Sequence, residues 1–212
     1  MNSTRRKVTQ FAGILLAALA LSIAAASGAS GAEFRSEVNP TQVLGKSTTE
    51  ISISVNGGTF KCKTAQYAGV MSSNPAKELL VHPTYEGCTF WGAKLEVSTA
   101  GCNYAFTAPT KTSANMQILC EAGKEIVFNN PIPGCSIIIK GQTPTKNAQT
   151  LSNSTTGIRT FEIGGQVAGI TYTTVGNGTC GESGENMVMG GPVLMKGFKD
   201  VLYNKQVGIW VE

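Results

Sequence analysis

The phase of the cysteines constrains this chain more than any other feature of its sequence. Three of the six cysteines lie in the stretch 59–106. Cys62 follows Phe60 by two positions, and Cys102 precedes Tyr104 by two. In a β-strand, residues two apart share a face. These sulfurs are therefore expected to point into an apolar core, which predicts a β protein held together by cysteine bridges.

Residues 1–32 have the organisation of a targeting segment. Three basic residues precede an apolar stretch at 11–26, and small residues follow it. Small residues at positions −3 and −1 suit signal peptidase, so we expect cleavage after Ala32, with Ala29 as the second choice. A retained membrane anchor is the alternative, but the apolar stretch is shorter than the roughly 20 residues of a spanning helix.

The expected mature chain, residues 33–212, has the length of one domain. The whole chain carries 17 basic and 13 acidic residues. Without the three basic residues of the leader, 14 basic and 13 acidic residues remain, a net charge of +1. A near-neutral chain gives no support for nucleic-acid binding or for electrostatic attachment to a membrane. We expect an extracytoplasmic protein, secreted or associated with the cell envelope, without a cofactor.

An even number of cysteines behind an export signal is typical of disulfides. Six cysteines allow 15 connectivities, among which a sequence cannot choose. A zinc site is disfavoured because the chain has no C-x-x-C motif. We expect two local bridges between neighbouring strands and one long bridge: Cys88–Cys102, Cys120–Cys135 and Cys62–Cys180.

Alternating polar and apolar residues predict many short strands. Residues 50–55 alternate strictly, and Asn56-Gly57 is a strong hairpin signal because both positions of a type I′ turn need positive φ. Pro83 predicts an edge or a bulge in its strand. Two further hairpins are expected around 99–101 and 121–124. The other predicted strands are 59–71, 78–85, 89–98, 102–107, 115–120, 124–128, 135–140, 159–163, 166–174, 193–198 and 206–211.

This pattern predicts an all-β fold without helices after the leader. We expect two packed, mainly antiparallel sheets forming a disulfide-bridged sandwich of the jelly-roll or Greek-key type. Residues 141–158 are polar and rich in turn formers, which predicts a long surface loop or an internal boundary. The alternative architecture is two small β units meeting there.

Few residues could carry catalysis. His82 is the single histidine and Asp200 the single aspartate, and no G-x-S-x-G motif is present. We therefore interpret His82 as a turn or surface residue beside a proline. The alternative interpretation is that it acts as a general base or as a metal ligand. The glutamate pair Glu86 and Glu96 could serve a glycosidase as acid and base.

An aromatic group beside these glutamates is the candidate binding surface. Exposed tyrosine and tryptophan side chains stack on sugar rings and anchor interfaces. The alternative is that these rings cover an edge of the core. The candidate binding residues are Tyr85, Phe90 and Trp91.

Several segments stand out together, of which the most specific is the block 81–89, with the sequence VHPTYEGCT. The other segments are 34–38, 60–65, 101–104 and 207–211. Through them, most of the expected mature chain resembles a group of uncharacterised secreted proteins of soil bacteria that occur as many paralogues. The resemblance implies a secreted, cysteine-bridged β protein. It implies no catalytic residue, because the group has no established activity.

Three functions remain open from the sequence. The preferred one is an exported, non-catalytic module that binds a cell-wall glycan or another envelope protein, or that has a structural role at the envelope. The second is a secreted hydrolase acting on glycans through Glu86 and Glu96. The third is a small secreted inhibitor or toxin-like factor, suggested by size and disulfides.

Overall fold

The computed structural model describes residues 31–56, 58–131, 134–176 and 181–212. The predicted leader falls almost entirely outside these residues. Within the described ranges the regular structure is entirely β, and we find no helix of the length and hydrophobicity needed to cross a bilayer. The strands pair antiparallel throughout, so the predicted all-β class is confirmed.

The described residues form eighteen strands, arranged in one large sheet and one small one. In chain order they are β1 Phe34–Ser36, β2 Thr41–Ser47, β3 Ile51–Val55, β4 Gly58–Met71, β5 Glu78–Phe90, β6 Ala93–Lys94, β7 Glu96–Ser98, β8 Cys102–Thr110, β9 Ser113–Cys120, β10 Ile126–Asn130, β11 Cys135–Ile139, β12 Gln149–Asn153, β13 Phe161–Gly164, β14 Gln166–Gly176, β15 Gly184–Gly190, β16 Val193–Phe198, β17 Gln206–Val207 and β18 Ile209–Val211.

Eight strands of the large sheet close into a ring. The order β2-β4-β5-β8-β9-β12-β13-β16 returns to β2, because β16 pairs with β2 over six residues and β4 pairs with β5 as well. Closure removes free edges, which otherwise template pairing with other chains. We call this the eight-stranded ring.

From β4 the same sheet continues through β3, β15, β14, β11, β10 and β7, which we call the six-stranded extension. The extension folds back toward β5, where β6 pairs with Thr89 and Phe90 and the Leu95 N–H donates to the Cys88 carbonyl over 2.9 Å. The small sheet, β1 paired with β18, lies at the opposite end of the ring.

One continuous apolar core runs through the ring and the extension. The Phe128 ring links the two parts, since its centroid lies 4.8 Å from Phe60 and 5.8 Å from Tyr85. Facing layers of sheet enclose this core, as in the predicted sandwich, but the layers are joined by hydrogen bonds through the long strands β4 and β5.

The β4–β5 hairpin belongs to both parts, and its buried face changes phase halfway along. In the ring, the buried residues are odd-numbered, such as Tyr67 and Tyr85, whereas in the extension Phe60 and Cys62 are buried. The phase changes next to Gly87, which has φ 63° and lies at a local gap in the pairing, while the register of the ladder is the same on both sides of the gap. This kink keeps apolar residues of both halves in the core.

Both predicted hairpins that follow Pro83 are wrong. The turn at 99–101 does not join paired strands, because β7 pairs with β10 while β8 pairs with β5 and β9. The turn at 121–124 likewise separates β9 from β10, which belong to different parts of the sheet. Consecutive strands pair often, but here the chain crosses from the ring to the extension and back.

The disulfides differ from all three expected pairs. Cys62 bonds to Cys88, and Cys102 bonds to Cys120. The two expected local pairs assumed neighbouring strands that the fold does not pair, and the expected long pair was what they left over. The observed cysteines lie directly opposite each other in the β4–β5 and β8–β9 ladders, with Cα atoms 3.9 and 4.1 Å apart. Cys135 is disulfide-bonded too, and Cys180 lies outside the described residues.

The polar stretch 141–158 is not simply a loop, because it contains β12. Its first part, 141–148, crosses from the ring to the extension as a strap. Gln142 exchanges backbone hydrogen bonds with Ile118 of β9, and Lys146 exchanges them with Ala168 of β14. The strap is therefore fixed at both ends by hydrogen bonds.

Candidate functional site

The exposed tryptophan lies at a two-residue turn. Trp91 and Gly92 connect β5 to β6, with φ values of 49° and 81°. Positive φ at both positions is the geometry of a type I′ turn, in which Asn and Gly are preferred. Trp91 is 68% exposed and stacks on the buried Phe90, with ring centroids 4.4 Å apart. The chain thus holds an indole outward in a backbone conformation that is costly for a bulky residue.

The other two residues of the expected aromatic surface lie in the core. Tyr85 is only 9% exposed and Phe90 only 2%, so neither can present a ring to a ligand. The expectation of three exposed rings is wrong because alternation places Tyr85 on the inner face of β5 and the kink at Gly87 turns Phe90 inward as well. A binding role for Trp91 stays a prediction.

Tyr85 instead joins a buried group of three tyrosines. Its hydroxyl lies 2.7 Å from the Tyr104 hydroxyl, and both approach the Met189 sulfur, at 3.4 and 3.8 Å. Burial raises the pKa of Tyr67 to about 12 and raises the pKa values of Tyr85 and Tyr104 well above the ordinary tyrosine value. These hydroxyls are neutral, structural groups at physiological pH.

A small cavity adjoins this tyrosine group inside the eight-stranded ring. It has a volume of about 30 Å³ and is lined mainly by apolar side chains, together with Tyr104 and Gln149. The Gln149 side-chain oxygen is buried and lacks a hydrogen-bond partner among the described residues. A volume this small has room for a water molecule but not for an organic ligand.

His82 has a structural environment. Its Nδ1 lies 2.9 Å from the Cys102 carbonyl, which can only accept, so Nδ1 carries the proton. Its Nε2 lies 3.4 Å from the Thr99 hydroxyl, which in turn donates to the Pro83 carbonyl over 2.6 Å. The histidine therefore connects β5 to the segment preceding β8, beside Pro83, which lies just past Val81, the last residue of β5 that pairs with β8.

The two glutamates of the candidate acidic pair lie on different strands. Glu86 is exposed on β5 opposite Thr64, and Glu96 is exposed on β7 opposite Asn129. Asp200 accepts backbone N–H groups in a turn. No group of three or more His, Cys, Asp or Glu residues able to hold a metal ion occurs among the described residues.

Sequence reasoning missed a polar groove on the outer face of the ring. The groove has a volume of about 490 Å³ and lies between the strap and the outward side chains of β8 and β9. That volume falls within the range of small-molecule sites. Its lining is mostly amide and hydroxyl side chains with one carboxylate, including Thr107, Asn115, Gln117, Thr143, Thr145 and Glu78.

The strap leaves two amides available in this groove. Asn147 accepts the Met116 backbone N–H over 2.7 Å and donates back to the Met116 carbonyl, so its own amide is used for structure. Asn115 and Gln117 flank Met116 on the opposite face of β9, and within the described chain their side chains have no hydrogen-bond partner. The sequence signal was present in the alternation of 115–120, but nothing in it placed the strap above.

Searches against protein-family models, curated proteins and solved structures found no match to this chain. The class of protein is therefore described from its fold and from the placement of its side chains. The chain is a disulfide-braced, antiparallel all-β protein with an outward tryptophan at one turn and a polar groove on its flank.

Proposed function

We propose that this protein is an exported, non-catalytic binding module that acts at or outside the cell envelope. The observation that carries the proposal is the outward Trp91, held at a type I′ turn and stacked on a buried ring. A rigid, amphipathic ring on a fixed turn loses little conformational entropy on binding. The ligand class we favour is a cell-wall glycan, whose sugar rings stack on indole.

The disulfides support a location outside the cytoplasm. Five of the six cysteines are in the described residues, and all five are disulfide-bonded. Such bonds persist in oxidising compartments and are rare in the cytosol. Treatment of the exported protein with an alkylating agent should leave every cysteine unmodified until a reductant is added. Modification without reductant would contradict an oxidised, extracytoplasmic protein.

The binding test compares two surfaces on one folded chain. Purified wild-type protein, Trp91→Ala and the double variant Asn115→Ala/Gln117→Ala are incubated with isolated cell-wall glycan, and the bound fraction is measured. We expect Trp91→Ala to weaken binding at least about tenfold, the loss typical of a central aromatic contact. Wild-type protein that does not bind the glycan would refute the proposed ligand class.

Gln66→Ala supplies the matched control, because Gln66 is an outward amide on β4 away from both surfaces. Loss of binding in the groove variant alone would move the site from the turn to the groove. Equal loss in all variants, with retained unfolding midpoints, would mean that binding is nonspecific and would refute a site at Trp91.

A further inference from the structure

The loop between β16 and β17 carries the two most exposed large apolar side chains of the described residues. Val201 is 69% exposed and Leu202 is 74% exposed. Isolated exposed apolar residues are ordinary on protein surfaces, but two adjacent ones at the end of a hairpin form a projecting contact. We call Val201 and Leu202 the apolar tip.

Hydrogen bonds fix the backbone of this loop. The Lys199 N–H donates to the Lys205 carbonyl over 2.9 Å and closes the loop at its base. Above it, one carboxylate oxygen of Asp200 accepts the N–H groups of Leu202 and Asn204, at 3.0 and 3.2 Å. The outward position of the tip is therefore a fixed feature of the turn, of the kind that Asp side chains stabilise.

Tyr203 accounts for the direction in which the apolar tip points. It has φ 55°, a left-handed conformation that is uncommon for an aromatic residue. Its ring packs edge-on against Phe198, with centroids 5.3 Å apart. The tyrosine thus turns inward while Val201 and Leu202 stay in solvent. Among the described non-glycine residues, Tyr203 and Trp91 alone have positive φ, and each belongs to an exposed apolar turn.

The charges next to the apolar tip are mainly positive. Lys199 and Lys205 are exposed on the two sides of its base, and neither forms an ion pair within the described chain. The single nearby carboxylate in the loop, Asp200, already accepts two N–H groups. Residues 33–212 are near neutral in total, yet at this loop two exposed apolar side chains lie beside two lysines without ion-pair partners in the described part of the chain.

We propose that the apolar tip inserts into the headgroup layer of an anionic lipid bilayer, with Lys199 and Lys205 at the level of the phosphates. A projecting tip needs no complementary pocket in a fluid lipid layer, and lysines beside an inserted apolar group can keep their charges at the interface. This inference goes beyond the proposed function and uses another surface. Trp91 follows Phe90, which pairs with Phe60 near the start of β4. The loop follows Phe198, whose partner Gln42 pairs in turn with Val70 near the end of β4, so the two surfaces lie at opposite ends of this strand.

The test is sedimentation of the purified chain with vesicles of phosphatidylcholine alone or mixed equally with phosphatidylglycerol. We expect wild-type protein to sediment with the mixed vesicles at low salt. The double variant Val201→Ser/Leu202→Ser should reduce the partition coefficient at least about tenfold, because two apolar side chains no longer leave water. Lys199→Gln and Lys205→Gln should each reduce it about fivefold, the contribution of one lysine at an anionic surface.

Val175→Ser is the matched control, because Val175 is 55% exposed on β14 in the six-stranded extension, away from the loop. It should partition as the wild type does, and high salt should weaken wild-type binding by screening the lysines. Three results would each overturn the proposal: no sedimentation of wild-type protein with mixed vesicles, undiminished sedimentation of the Val201/Leu202 variant, or equal sedimentation without vesicles. The last would mean that the chain associates with itself rather than with lipid. The glycan-binding test uses Trp91→Ala, which leaves this loop intact. Either proposal can therefore fail without the other.

Discussion

The two halves of the β4–β5 hairpin share one ladder but enclose different interiors. The half in the eight-stranded ring buries Tyr67 and Tyr85, whose hydroxyls need partners inside the core. The half in the extension buries Phe60 and Phe90, is bridged by the Cys62–Cys88 disulfide, and ends at the exposed Trp91. A ladder with a single register therefore does not impose one kind of packing. The kink at Gly87 permits each half to turn its own side chains inward.

The largest contrast along this hairpin is between Tyr85 and Trp91, six residues apart in the sequence. Tyr85→Ala should lower the free energy of unfolding by about 3–5 kcal/mol, because a large buried ring is lost and a cavity remains. Trp91→Ala should change it by about 0.5 kcal/mol or less, as at other exposed positions. Urea unfolding of the two variants measures both effects. Similar losses of unfolding free energy in the two variants would mean that Tyr85 and Trp91 lie in the same environment, which would contradict the assignment of one to the core and the other to the surface.

The disulfide of the extension half comes next in magnitude. The bond joins cysteines 26 residues apart, and removing a bridge of that span with Cys62→Ala/Cys88→Ala should cost about 3 kcal/mol through the entropy of the unfolded chain. Cys102→Ala/Cys120→Ala, with a separation of 18, should cost slightly less and serves as the comparison. Thermal unfolding measures both. A negligible loss of stability in the Cys62/Cys88 variant would mean that the β4–β5 hairpin keeps its register without the disulfide.

Alkaline pH should destabilise the half of the β4–β5 hairpin that lies in the eight-stranded ring. Burial raises the pKa of Tyr67 to about 12, so the folded protein keeps this proton where an unfolded tyrosine loses it, at about pH 10. Stability is then retained below pH 10 and falls between pH 10 and 12, with a slope of about 1.4 kcal/mol per pH unit for each such tyrosine. Unfolding in urea at a series of pH values measures the slope. Tyr67→Phe should make it shallower, and an unchanged slope would assign the alkaline loss to other groups.

The smallest expected effect concerns the kink at Gly87, which separates the two halves. Gly87→Ala places a side chain at φ 63°, which should cost about 1–2 kcal/mol. A Cβ atom there would also approach the Lys63 side chain, at 3.0 Å from its Cδ and 3.1 Å from its Cβ, so a close contact adds to the cost of the backbone conformation. Gly92→Ala, at φ 81° with nothing within 4 Å, is the control for the backbone conformation alone and should cost somewhat less. Denaturant unfolding compares them, and no cost at Gly87 would contradict its left-handed conformation.

The sequence by itself determined many of the strands and their buried faces, although it did not predict β1, β2, β12 or β15. Strict alternation at 50–55 and 135–140 predicted β3 and β11, because residues two apart must share a face of an extended chain. The same rule correctly predicted buried sulfurs at Cys62 and Cys102. These features depend only on local backbone geometry and on the transfer of apolar side chains from water, both of which are encoded within a few residues.

Tertiary structure decided which strands are neighbours, and the candidate sites depend on that. Cys88 could pair with Cys62 only because β5 folds onto β4, and the groove exists only because Asn147 fixes the strap beside β9. Likewise, the kink at Gly87 accounts for the burial of Phe90, next to which Trp91 projects into solvent. Pairing and register are long-range properties, fixed by the joint packing of segments far apart in the chain, so the local pattern of any one strand cannot contain them.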